Sequence, residues 1–180
     1  MKPKNAINMF LLQIKNKYFT DMNARPKITL ELTHTDKIIE ISSFLILAIL
    51  WILVVYNYAG LPTTIPTHYN ALGEADRFGN KDNIFSLPII ATVLFVGMTF
   101  LNKFPHIFNY PTNITTENAL GQYTNATKMI RAIKFAIVFI FALITLKTMQ
   151  SSTLGIWFLP LVLMLIFIPI FFQVKSSKLK

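Results

Sequence analysis

The residue types best able to do chemistry are gathered in one stretch, residues 61–81, LPTTIPTHYNALGEADRFGNK. It offers His68, Asn70, Glu74, Asp76, Asn80 and Lys81, with Asp82 just beyond. A zinc site needs three or four imidazole, thiolate or carboxylate ligands. His68, Glu74 and Asp76 reach that number only if the chain folds back on itself. The run 76–82, DRFGNKD, has the oxygen-rich composition of a calcium loop, but Arg77 and Lys81 place positive charge among its ligands. The competing use of the same residues is structural. Pro62 and Pro66 stiffen the first half of the stretch, and Gly73 and Gly79 supply positive-φ positions in the second. Asp76 and Asn80 then hydrogen-bond neighbouring backbone around those turns, and Lys81 pairs with Asp76 or Asp82.

No catalytic set accompanies these residues. The chain has no nucleophile elbow, HExxH, phosphate loop or dinucleotide fingerprint. Thr67 and His68 are adjacent, and adjacent side chains seldom face each other usefully. With no cysteine, disulfide and thiolate chemistry are absent. The expectation is a protein that is not an enzyme and needs no cofactor. A metal-dependent membrane enzyme using His68, Glu74 and Asp76 is the alternative, with a transport subunit as a further one.

The elements that position this stretch are apolar. Of 180 residues, 53% are hydrophobic and 14% charged, against about 25% charge in an ordinary soluble domain. Four runs, 38–58, 84–102, 129–149 and 153–174, each have about the 17–25 residues needed to cross a hydrocarbon core. In lipid the backbone must satisfy its own hydrogen bonds, which such runs do as helices. The fold class is therefore all-α: a polytopic membrane protein of four transmembrane helices, 38–174, with an N-terminal segment 1–37 and a basic tail 175–180. The connection 59–83 lies on one side and 103–128 on the other. The N-terminus lacks a signal-peptide pattern, so 38–58 is expected to be a permanent helix.

The net charge of +9 is placed, not spread. With the N-terminus cytoplasmic, 14 of 17 basic residues fall in inside segments, and only Arg77, Lys81 and Lys147 fall outside. That asymmetry follows the positive-inside rule and makes a nucleic-acid partner unnecessary. It puts both termini in the cytoplasm and residues 61–81 outside, and separates His34 and His106 from His68.

Further features follow in chain order. Residues 5–19 place Ile7, Phe10, Leu11, Ile14 and Tyr18 on one helical stripe, suited to a lipid surface or to the protein's own underside. Residues 26–33 alternate in polarity but, as a lone strand, read as an extended linker. Thr35 or Asp36 caps the first spanning helix, with Glu40 near its wet end. Gly97 offers close helix approach. Pro105 and Pro111 preclude a regular helix in the second connection, and Thr115 or Thr116 with Glu117 starts the next one. The period running from Leu120 to Ile137 predicts one continuous helix of about 34 residues, near 50 Å. Arg131 and Lys134 are expected to snorkel to the headgroups. Pro160 and Pro169 are candidate kinks of the last helix, and the triplets at Asn113 and Asn125 read as loop and cap polarity.

Two motifs are familiar. LPTTIPTHYNALGEADRFGNK resembles the signature of the bacterial membrane family known as domain of unknown function 1648, and PHIFNYPTNITTENALGQYTNATKMIR is similar to that family's second block. The block also forms the first part of SdpI-type immunity and signalling proteins. The resemblance implies motif positions at Leu61, Pro62, Ile65, Pro66, His68, Asn70, Gly73, Asp76, Gly79 and Lys81. In the second block they are Pro105, Asn109, Tyr110, Pro111, Asn118 and Tyr123. SdpI-type proteins continue beyond this block, whereas here one further helix follows. The expected role is binding of a peptide, lipid or protein partner through residues 61–81 in a bacterial cytoplasmic membrane, alone, as an oligomer or within a larger complex.

Overall fold

The computed structural model describes residues 7–15 and 25–178. Residues 7–15 form helix α1, exposed throughout, so its apolar stripe is not buried against the bundle. The rest of the predicted 5–19 helix lies outside the described residues. Residues 26–33 run without regular structure into α2 (His34–Asn57). The cap of α2 is Thr33, not Thr35 or Asp36. Thr33 accepts from the Asp36 amide, and the Asp36 carboxylate accepts from the Thr33 amide at 2.9 Å, a reciprocal capping box. The helix then starts one turn earlier than hydropathy alone suggests, because polar residues enter it once its first amides are satisfied.

After α2 the chain forms a β-hairpin, a departure from the all-α expectation. Strands β1 (Thr64–Tyr69) and β2 (Ala75–Asn80) pair antiparallel, with Thr64 opposite Asn80 and Tyr69 opposite Ala75. The register slips around Thr67, so the strands lack the clean period of two that marks a strand in sequence. Pro66, which has no N–H to give to the ladder, sits beside this irregularity. A two-stranded hairpin is marginal by itself. Here Ile65, 1% exposed, and Leu61 pack on Leu50 and Val54 of α2 and on Ile84.

A 3-10 turn (Lys81–Phe85) leads into α3 (Ser86–Leu101), which has Pro88 in its first turn. Sixteen residues of α-helix span only about 24 Å. The five-residue turn adds about 10 Å, so together they reach hydrocarbon thickness. Gly97 has open space around it, contrary to the expected close helix approach. Next come α4 (Ala119–Met149), continuous through Gly121 as the periodicity predicts, and α5 (Phe158–Lys178). Asn118, not Thr115 or Thr116, precedes α4; its side chain instead ties the connection, accepting from the Thr115 amide at 2.9 Å. Helix α5 starts five residues later than expected, since Gly155 at φ +82° breaks the segment 153–157. Pro160 therefore falls in the first turn and only Pro169 is interior.

α4 is the hub, packing against α2, α3 and α5. Mid-bundle, Leu47, Ala91 and Val138 form a core with Trp51, whose indole donates to Thr92 Oγ1 at 2.9 Å. The outward faces are apolar: Phe44, Ile52, Val93, Phe167 and Phe171 are exposed. Among the described residues, four helices are long and apolar enough to cross a membrane. Such faces suit lipid and not water, and the chain is a multi-pass membrane protein.

Candidate functional site

The hairpin lies across one end of the bundle. Its turn is built by Asn70, whose Oδ1 accepts from the amides of Leu72 and Glu74 at 2.9 and 3.0 Å. Gly73 has φ +76°, as the sequence predicts, and its carbonyl accepts from the Leu154 amide at 2.7 Å. A Cβ on Gly73 would stand 2.5 Å from the Gly155 nitrogen, so only glycine permits this docking. Gly79 is used differently from the expectation. It lies in β2 without positive φ, and what crowds a side chain there is Thr67 Cγ2, 3.0 Å from a Cβ.

Rooted on α2 and resting on the α4–α5 connection, the hairpin roofs a cleft of about 550 Å³. Ile140 and Ile144 of α4, Phe158 and Val162 of α5 and Leu87 of α3 make its walls apolar. Pro66, His68, Tyr69 and Asn70 face it from the roof, with Thr145 and Thr148 below. The Tyr69 hydroxyl is paired with Thr148 Oγ1 at 3.2 Å and donates to the Ser152 carbonyl at 3.4 Å. Burial pushes the Tyr69 phenol above its ordinary range, keeping it a neutral donor.

His68 Nδ1 lies 2.6 Å from Asp76 Oδ1, so Asp76 holds the imidazole instead of bonding turn backbone. Glu74 bonds Asn70 Nδ2 at 3.1 Å and takes no part in that pair. Among the described residues no three His, Asp or Glu side chains are grouped to hold a metal ion. Fold-back therefore unites two of the three weighed ligands and diverts the third. Lys81 pairs with neither Asp76 nor Asp82. Its ammonium sits 4.6 Å from the Tyr58 ring centroid, and the Tyr58 hydroxyl takes Asp82. Asn80 accepts from the Asp82 amide at 2.9 Å, as expected of a turn cap. Pro62 is exposed at the hairpin's entry.

The second motif lies at the opposite end, separated by the length of α3, and contributes nothing to the cleft. Tyr123 is buried on α4 beneath Tyr110, ring centroids 5.6 Å apart. Tyr110 donates to the Pro105 carbonyl at 2.9 Å, and Arg25 Nη1 donates to the carbonyls of His106 and Phe108. Asn118 Nδ2 donates to the Asn113 carbonyl at 2.9 Å. Asn109 and Pro111 are exposed in the connection that these bonds shape. These residues fold the connection around Tyr123.

A charged cluster was missed. Lys134, 0% exposed, donates to Glu40 Oε2 at 2.5 Å and Thr99 Oγ1 at 2.7 Å, and stands 4.6 Å from the Phe95 ring centroid. Arg131 Nη1 lies 3.5 Å from Asp36 Oδ1, and its Nε 3.4 Å from Glu40 Oε1. Arg131 and Lys134 thus point into the bundle and do not snorkel, and Glu40 is not simply wet. Lys134 lies 15 residues from Met149, about 22 Å along the helix and inside a hydrocarbon core of about 30 Å. An unpaired ammonium there is costly, and the Glu40 carboxylate on α2 neutralises it. The signal was present: Asp36 and Glu40 are four apart on one helix, and Arg131 and Lys134 three apart on another.

Residues 45–92 match the family described as Domain of unknown function (DUF1648). The match takes in the second half of α2, the whole hairpin and the start of α3, and stops before the second motif. An uncharacterized protein of Archaeoglobus fulgidus is 34% identical over 98 residues, 50% of this chain and 52% of that protein. The chain thus spans about half the length of that relative. No solved structure matches. Over residues 45–92 the hairpin and the helix ends that root it are thus similar to the DUF1648 family, within a multi-pass membrane protein.

Proposed function

We propose that this chain is a non-enzymatic protein of a bacterial cytoplasmic membrane that binds an amphiphile, a lipid or membrane peptide, beneath its outer hairpin. The observation carrying this reading is the cleft itself: about 550 Å³ of largely apolar space with polar groups confined to one end. An apolar chain would lie between α3 and α5, and its polar end would meet Asn70, the His68–Asp76 pair and the Tyr69–Thr148 hydroxyls. The 14-to-3 division of basic residues supports cytoplasmic termini and an external hairpin. Likeness of the first motif to SdpI-type proteins supports a protective or signalling role.

The test is photocrosslinking in cells. Benzoylphenylalanine at Ile144, which lines the cleft, should yield a discrete adduct of defined mass. The same probe at Ile89, exposed on α3 and not part of the lining, should give only bulk phospholipid. Identical bulk labelling at both positions would reject the reading. Labelling of Thr64→Cys from outside and Thr124→Cys from inside checks the orientation.

A further inference from the structure

A second cavity, about 630 Å³, opens at the end of the bundle opposite the hairpin. We propose that it binds a phosphate-bearing anion, the headgroup of a phospholipid in the leaflet at that end. Lys27 reaches it from the linker, Lys103 and His106 from the α3–α4 connection, and Arg131 from α4.

The charges do not cancel. Glu40, which also lines the cavity, is held by Lys134 at 2.5 Å, and Asp36 by Thr33 and Arg131. Two carboxylates are thereby matched by two cations, and Lys27 and Lys103 remain in excess. No carboxylate among the described residues makes an ion pair with either lysine.

The hydrogen bonds do not close either. Arg131 is 6% exposed, yet its Nε, near Glu40 Oε1, lacks a well-aligned hydrogen bond. Asn102 Oδ1, buried in the same wall, accepts from nothing in the protein. Buried polar atoms are ordinarily satisfied. The planar guanidinium of Arg131, which lines the cavity, suits a phosphate oxygen, and the orphan Asn102 acceptor suits a hydroxyl donor. A phosphodiester headgroup bearing a glycerol hydroxyl supplies both.

The remaining wall separates lipid from free phosphate. Ile28, Leu30 and Leu32 of the linker, with Phe104, line the cavity with apolar surface that a small anion would leave unused. The start of an acyl chain covers it. The depth is also right, since Arg131 lies near the boundary where headgroups meet hydrocarbon.

The experiment offers the delipidated full-length protein equal amounts of phosphatidylglycerol and phosphatidylcholine in detergent and counts retained lipid by native mass spectrometry. One phosphatidylglycerol should be retained in about tenfold preference, and Lys27→Ala/Lys103→Ala should weaken that preference by about fivefold or more. Both lysines are exposed, so this variant should keep the fold, checked by an unchanged thermal midpoint without lipid. A second arm adds millimolar inorganic phosphate without lipid. If phosphate raises the midpoint of the parent but not of the double variant, and lipid preference is absent, the cavity takes soluble phosphate and the phosphate chemistry stands. Equal retention of the two lipids with no response to phosphate overturns the proposal, as does undiminished preference in the variant.

Discussion

Replacing Lys134 by methionine removes a fully buried charge while keeping a flexible side chain of similar length. In the parent, the ammonium meets Glu40 and Thr99 at hydrogen-bond distance and faces the Phe95 ring. Its loss leaves Glu40 with Arg131 at 3.4 Å as its remaining cation. Breaking a buried pair from one side costs about 3–5 kcal/mol. Because Arg131 still offsets the carboxylate, Lys134→Met should fall at the lower end, about 3 kcal/mol, roughly 150-fold in the folding equilibrium. Glu40→Gln is the harsher change. It leaves Lys134 and Arg131 one turn apart with only Asp36 to neutralise them, so about 5 kcal/mol is expected. The double variant should recover about 2–3 kcal/mol relative to the sum of the singles. Reversible unfolding by dodecyl sulfate in mixed micelles, followed by tryptophan fluorescence, reads all four proteins. The measured coupling should resist added salt, since buried charges are little screened. Singles within about 1 kcal/mol of the parent, or strict additivity, would refute the claim that these charges hold each other.

Gly73→Ala should cost more than about 2 kcal/mol, adding left-handed strain to overlap with Gly155, and should accelerate amide exchange at Leu154, which bonds the Gly73 carbonyl. Asp76→Asn should change stability by less than about 1 kcal/mol, because the His68–Asp76 pair is half exposed; a larger loss in the same unfolding assay would mean the pair holds the hairpin together. Tyr110→Phe should lose about 1 kcal/mol with its bond to the Pro105 carbonyl. Burial first, and then neighbouring Tyr123, hold the Tyr110 phenol above its ordinary range against the pull of Arg25. A folded value raised above the unfolded one gives stability that is complete below about pH 10 and lost as pH rises through the folded value. Alkaline unfolding should therefore begin above that pH and shift upward in Tyr110→Phe, as an ultraviolet titration would record.

What the sequence by itself determined was the membrane class, the four spans, the continuity of α4 and the turn at Gly73. Each rests on a local quantity: apolar run length, helical period, or a residue whose conformation is special alone. Strand pairing was not legible, because β1 contains Pro66 and a bulge and β2 runs Ala-Asp-Arg-Phe-Gly-Asn, so neither carries the alternation of a half-buried strand. Their pairing is stabilised by Ile65 and Leu61 packing on α2, a contact between segments that no local window contains. Tertiary structure also decided where the charges go. Arg131 and Lys134 stand at a depth from which long side chains can reach either headgroups or a partner inside the bundle. Asp36 and Glu40 facing them across α2 and α4 turn them inward, since a paired charge out of water is far cheaper than a lone one. The cleft under the hairpin belongs to the same category: its walls come from three helices and its roof from a fourth segment, and only their packing encloses it.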